Sequence, residues 1–268
     1  MSHLKDIQYK DSSNFNARIL LHYKFGTNTY SWPRWVFDRI RKEDNMKVLE
    51  LGCGNGLLWR LNADRVPETW EITLSDFSEG MLLEAKKSIG NTIKKISYEV
   101  IDIENIPCED NTYDIILANH MLYHVPNRKR ALSEIRRVLK NDGAFYATTM
   151  RYDYMKEMRI LIREYKSLPQ DAAAANAVID NFSLQNGEQQ LKEFFNDVIL
   201  KIYENSLRIN EAGPFVDYIY SCMGMTQGRR VLEEADKKPL LEFVKERISR
   251  DGSIIIPSDS GMFISRNS

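Results

Sequence analysis

From residue 46 onward, short apolar runs alternate with stretches whose apolar positions recur every three to four residues. The runs are MKVLEL (46–51), WEITLS (70–75), ISYEVI (96–101), YDIILAN (113–119) and GAFYATTM (143–150). Such runs, separated by amphipathic helices, are the pattern of a parallel sheet joined by crossover helices. The predicted helices cover residues 57–63, 78–89 and 127–139. In the last, Ala131, Leu132, Ile135, Val138 and Leu139 fall on one sheet-facing stripe. Ser78 followed by Glu79 has the form of an N-cap with a first-turn acid, and KNDG (140–143) stops the later helix. After Met150 the rhythm changes. Residues 153–168, 170–182 and 187–196 read as helices with no strand between them, an inserted block that includes DAAAANA (171–177). VILKIYENSLRI (198–209) reads as a strand with a turn, and residues 228–248 as a helix whose second half Pro239 starts or kinks. GSIIIPSDSGMFISR (252–266) reads as a hairpin or broken edge strand, Pro257 arguing against a central position. Two amphipathic helices, 14–25 and 31–40, precede the sheet. The organisation expected is a helical lid (1–45), a core (46–150), a helical cap (151–196) and a C-terminal completion of the sheet (197–268).

Composition narrows the partners more than the fold. At 268 residues, 43% hydrophobic and 28% charged, the chain has enough apolar material for one large core with an elaboration. A net charge of −1 leaves no electrostatic footprint for nucleic acid, which needs clustered cations to release counterions. The densest cationic stretch, NRKRALSEIRR (127–137), is helical and interrupted by Glu134, the mark of a solvated helix face. Three scattered cysteines suggest neither a disulfide framework nor a zinc site, so a reducing, cytoplasmic setting is expected. No signal-peptide core and no run near about 20 apolar residues is present, so neither export nor a membrane span is expected. Monomer and homodimer both stay open.

Chemistry concentrates where the first strand meets its loop, VLELGCGNG (48–56). Open parallel sheets bind ligands beyond the carboxyl ends of their strands, where strand order reverses. The dinucleotide fingerprint G-x-G-x-x-G, started at Gly52, needs glycine at 57, where Leu57 stands. Charge also argues against a phosphate: the loop carries no Lys or Arg, and Glu50 would repel one at its lip, although a helix N-terminus alone can hold an anion. Asp76 ends the second strand, where a carboxylate accepts from both hydroxyls of a ribose. Asp102 ends the third, where it accepts from an exocyclic amine. Three acids delivered to one crevice suit a nucleoside with a cationic tail, and S-adenosylmethionine is such a molecule.

Four segments, VLELGCGNG, LSDFSEGMLLEAKK, DIENIPCEDNTYDIILANHMLYHV and ALSEIRRVLKNDGAFYATT, together resemble the class I S-adenosylmethionine-dependent methyltransferases of the small-molecule type, over residues 46 to 150. The resemblance implies a Rossmann-like, doubly wound α/β fold. It has a seven-stranded, mostly parallel sheet with an antiparallel last strand, N-terminal helices and a helical lid. It implies that Glu50, Gly52 and Gly54 contact the methionine moiety. Asp76 would hold the ribose, Phe77 and Met81 flank the adenine, Asp102 and Ile103 read its amino edge, and Asn119 offers its carbonyl to the ammonium. The reaction implied is in-line displacement at the sulfonium methyl, with S-adenosylhomocysteine as product and no metal.

A general base, if one is used, is sought in NHMLYHV (119–125), where His120 and His124 stand four apart and would share a face of a helical turn. Packing under the loop is the alternative for both. Arg18, Tyr23, Tyr152, Phe215 and Tyr218 are the expected acceptor contacts, with lid packing as the alternative. Two rival functions share the fold: a non-catalytic S-adenosylmethionine-binding protein, and an NAD-dependent oxidoreductase. Within the methyltransferases, NHML departs from the Asp/Asn-Pro-Pro-aromatic motif of nucleobase amino-methylating enzymes, and a small-molecule acceptor is favoured.

Overall fold

The computed structural model describes residues 13–168, 179–222 and 231–267. They fold as two compact units. One comprises residues 30–150, 181–203 and 260–267, the other residues 13–29, 151–168, 179–180, 204–222 and 231–259.

The first unit is built on a seven-stranded sheet. Its strands are β1 (Lys47–Leu51), β2 (Glu71–Asp76), β3 (Ile96–Val100), β4 (Tyr113–Asn119), β5 (Leu139–Met150), β6 (Asp197–Tyr203) and the chain's last strand, β9 (Ser260–Arg266). The order across the sheet is β3-β2-β1-β4-β5-β9-β6. β1 to β5 run parallel, and β9 lies antiparallel between β5 and β6. This is the doubly wound sheet with an antiparallel last strand that the sequence implied. Strand order reverses between β1 and β4. These central strands show the continuous apolar burial of strands covered on both faces, while the edge strand β3 is mostly exposed.

The helices of this unit follow from local chemistry. The Ser78 hydroxyl accepts from the Met81 N–H at the start of α4 (Glu79–Ile89), and the Asn127 side chain accepts from the Arg130 N–H at the start of α5 (Arg128–Val138). On α5, Ala131, Leu132, Ile135 and Val138 are buried, four of the five stripe residues; the fifth, Leu139, already belongs to β5. KNDG is therefore no loop. β5 begins opposite Tyr113, then shifts register so that Ala144 faces Ile115. The irregularity is pinned by Lys140 Nζ on the Asp114 carboxylate at 2.7 Å. The unit also contains α2 (Trp32–Arg39), the single turn α3 (Leu57–Arg60) and α7 (Gly187–Leu191). The last two are shorter than the predicted 57–63 and 187–196.

The second unit holds α1 (Ser13–Phe25), α6 (Lys156–Lys166), α8 (Ala212–Cys222) and α9 (Lys237–Asp251), with a two-stranded sheet of β7 (Ser206–Ile209) and β8 (Ile254–Pro257). Leu21, Phe25, Leu161, Leu207, Phe215, Ile219, Leu240 and Val244 form its core. Two expectations are corrected here. Residues 252–266 do not make a hairpin. β8 pairs with β7, and β9 is central in the large sheet, because Pro257 constrains only the strand that contains it. Residues 198–209 divide between the two sheets. Pro239, the third residue of α9, stands in its first turn, at the start of the second half of the expected helix as the sequence suggested. Of the helix expected at 170–182, residues 170–178 lie outside the described residues, as do 228–230 of the one expected at 228–248; residues 179–181 form a single 3-10 turn. Among the described residues no helix is long and apolar enough to cross a membrane.

Candidate cofactor site at the ends of the central strands

β1 runs into a loop in which Gly52 and Gly54 take φ values of +74° and +56°. A Cβ on Gly52 would stand 3.0 Å from Cγ and 3.1 Å from Cβ of Met121, so both the dihedral and the close approach call for glycine. The loop is tied to β2 at two points: Cys53 N–H donates to the Ser75 carbonyl at 2.8 Å, and Gly54 N–H to Asp76 Oδ2 at 3.0 Å. Asp76 Oδ1 accepts from Ser78 N–H at 2.9 Å. Burial pushes the Asp76 carboxyl up, and backbone N–H groups of Ser78, Gly54 and Phe77 oppose that. A carboxylate held this way keeps acceptor capacity for further donors. Phe77, next in sequence, is 38% exposed.

Glu50 is not at the lip of the loop. It is 2% exposed, and its oxygens accept from Trp59 Nε1–H at 2.5 Å and Asn119 Nδ2–H at 2.6 Å. Burial raises its pKa to about 7; the Asn119 and Trp59 bonds pull it down, and Asp76 pushes it further up. Cys53, pushed well up by burial and by both acids, stays a neutral thiol.

The end of β4 is tied to β5. Thr148 Oγ1 donates to Asn119 Oδ1 at 3.2 Å and accepts from His120 N–H at 3.0 Å, and the Thr148 carbonyl also takes that N–H at 3.2 Å. His120 sits at φ +50°, a left-handed conformation that costs an L-residue about 1–2 kcal/mol, with its ring 5.1 Å from that of Trp32. Trp32 is held in turn by Trp35 and Tyr203, each 5.1 Å away between ring centroids. The two histidines do not share a helical face. Only Leu122–His124 is helical, as a 3-10 turn of three residues per turn, and His120 precedes it. The His124 ring packs against Tyr123.

The remaining positions disperse. Met81 and Ile103 are buried, and Asp102 Oδ1 caps its own turn by accepting from Glu104 N–H at 2.9 Å. The five expected acceptor residues belong to the other unit. There Phe215 is fully buried in the core, Tyr218 is 5% exposed, Tyr152 is 52% exposed and Tyr23 is 86% exposed. Arg18 Nη2 donates to the Ser221 carbonyl at 3.2 Å. His22 Nε2 lies 2.7 Å from the Tyr154 hydroxyl, and burial lowers its pKa to about 4. Sequence reasoning misses Trp59 and Thr148. Only the spacing Glu50 to Trp59 across the loop and one short helical turn hinted at the first of them.

Residues 49–147 match a family model described as a methyltransferase domain, which covers the loop, Asp76 and the end of β4 together. Over that stretch the chain is similar to methyltransferase domains. The chain is similar to a malonyl-[acyl-carrier protein] O-methyltransferase of Geobacter sulfurreducens, 31% identical over 44% of this chain and 43% of that one. It is also similar to a ubiquinone/menaquinone biosynthesis C-methyltransferase of Cronobacter sakazakii, 26% identical over 69% and 77%. The chain thus spans under half of the first relative's length. In fold, the chain matches a Bacillus halodurans protein at a TM-score of 0.60, with 18% identity over 89% of this chain and all of that one. It also matches a Haemonchus contortus phosphoethanolamine N-methyltransferase solved with S-adenosylhomocysteine, at a TM-score of 0.58 and 16% identity, covering 99% and 59%. Among the described residues no three His, Cys, Asp or Glu converge on a metal site.

Proposed function

We propose that this chain transfers a methyl group from S-adenosylmethionine to a small-molecule acceptor in the cytoplasm, releasing S-adenosylhomocysteine. The observation that carries the reading is the paired anchoring at the switch point: Asp76 is fixed by the Gly54 and Ser78 N–H groups, and Glu50 is joined to Asn119 between β1 and β4. Asp76 accepts the ribose hydroxyls, and the exposed face of Phe77 lies against the adenine, with Met81 and Ile103 behind it and Asp102 at its amino edge. Gly52, Gly54 and the Asn119 carbonyl line the methionine end, with Glu50 below them as counter-charge. The cofactor supplies the electrophilic sulfonium methyl.

The protein's task is then alignment. Holding two reactants in line is worth about 7–11 kcal/mol in well-oriented systems. A base adds about 10²–10⁴-fold where the acceptor must lose a proton. His120 is favoured over His124 for that role, since it directly follows Asn119 and its backbone is fixed by Thr148. Packing in the core of the other unit accounts for Phe215. Relatives named for quinone C-methylation and malonyl-carrier O-methylation support a small or carrier-borne oxygenated acceptor.

The test is incubation with methyl-labelled cofactor and a cytosolic metabolite extract, followed by mass identification of the species that gains the label. One or a few labelled small molecules are expected, and none with Asp76→Ala. Tight cofactor binding with no labelled species would favour the non-catalytic alternative.

A further inference from the structure

The bonds around Glu50 define the charge state it is built for. Trp59 Nε1–H can only donate, so the oxygen it meets must be an acceptor. The Asn119 amide is turned with its nitrogen toward Glu50, and its oxygen accepts the single hydroxyl proton of Thr148, which itself accepts from the His120 N–H. Both carboxylate oxygens are therefore met by donors, an arrangement suited to the ionised form. Enclosure opposes it. The groups that act on Glu50 are Trp59 of α3, Asn119 of β4 and Asp76 of β2, and Cys53 of the loop feels its charge. Two of these are neutral donors, one is a second acid and one is a thiol, so none supplies positive charge. These opposing influences leave the acid titrating at about 7.

We propose that Trp59 and Asn119 are positioning residues that hold Glu50 as a proton-exchanging counter-charge, and that a ligand ammonium entering at the β1/β4 junction expels the Glu50 proton. The proposal rests on the cofactor reading above. No covalent bond to the ligand is made: the Glu50 O–H breaks, its proton passes to buffer, and the carboxylate remains opposite the ammonium. Binding then tightens as pH rises toward 7 and levels off above it.

The test is calorimetric titration of S-adenosylhomocysteine into the full chain, in buffers of different ionisation enthalpy. At pH 7 about half a proton is expected to leave per site, rising toward one near pH 6, as for a group half-ionised at neutrality. Glu50→Gln is expected to lose this release; subtracting its titration from wild type removes the ligand's own amino group. Trp59→Phe takes away one donor to the ionised form, so the midpoint of release moves to higher pH. A residue that merely packs would weaken binding without moving that midpoint. Buffer-independent heat in the wild type, or unchanged release in Glu50→Gln, overturns the proposal while leaving the cofactor reading intact. No binding at all overturns that reading and the proposal with it. The wild-type buffer comparison stands even if a variant fails to fold.

Discussion

Asn119 donates to Glu50 at 2.6 Å across the junction of β4 and β1, joining the two strands between which sheet order reverses. The native state nonetheless holds the Glu50 proton up to about pH 7, whereas an unfolded glutamate releases it near 4.5. Between those values the native chain binds more protons, so this residue's contribution to stability is full below pH 4.5 and is lost as pH rises toward 7. The loss is about 3 kcal/mol at most. Urea unfolding of Glu50→Gln against wild type should show the variant gaining relative stability from pH 5 to pH 8; a constant difference would refute the assignment.

His22 works in the opposite direction. Its native pKa is lowered from 6.5 to about 4, so the neutral ring contributes stability that is present above pH 6.5 and lost as pH falls toward 4. Through this window the two groups offset each other, which predicts a shallow wild-type profile. His22→Gln should steepen the decline with rising pH, and the same unfolding series measures it.

Tyr154→Phe removes the hydroxyl 2.7 Å from His22 Nε2 and leaves a ring nitrogen in a crowded site without that partner. The expected cost is about 1–3 kcal/mol. It should be smaller in His22→Gln/Tyr154→Phe than the sum of the single changes, a coupling that a double-mutant cycle reads directly.

Gly52→Ala forces a side chain into φ +74° and against Met121. Destabilisation of about 1–2 kcal/mol is expected from the dihedral alone. Met121→Ala in the same chain should recover only the steric share, as measured by thermal unfolding.

Thr148→Val keeps the shape of a fully buried side chain but deletes the hydroxyl shared by Asn119 and the His120 N–H. The cost expected is about 1–3 kcal/mol. Weaker S-adenosylhomocysteine binding should accompany it, because the Asn119 amide is no longer oriented. Equal affinity would show that this orientation does not matter.

Much of this could be read from the sequence because the central strands are local signals. β1 to β4, the cap Ser78 and the helix start at Asn127 fall within a residue or two of their predicted places, each fixed by an apolar run or one capping side chain. What failed to show was long-range. β9 is central only because two other strands flank it, and Pro257, three residues before it, pointed to an edge. The second unit is assembled from segments before, within and after the sheet, so no single stretch announces it. At the site, the spacing of Glu50, Asp76 and Asn119 was legible from strand ends. The depth of Glu50 depended on Trp59 folding back over it from α3, which no local pattern encodes.

The most direct check is equilibrium binding of S-adenosylhomocysteine to wild type and to Asp76→Ala, with NAD as competitor. The account predicts saturable binding in the wild type, about 100-fold weaker or worse once the Asp76 carboxylate is gone, and no displacement by NAD. Undiminished affinity in Asp76→Ala, or saturable NAD binding in place of S-adenosylhomocysteine, would contradict it.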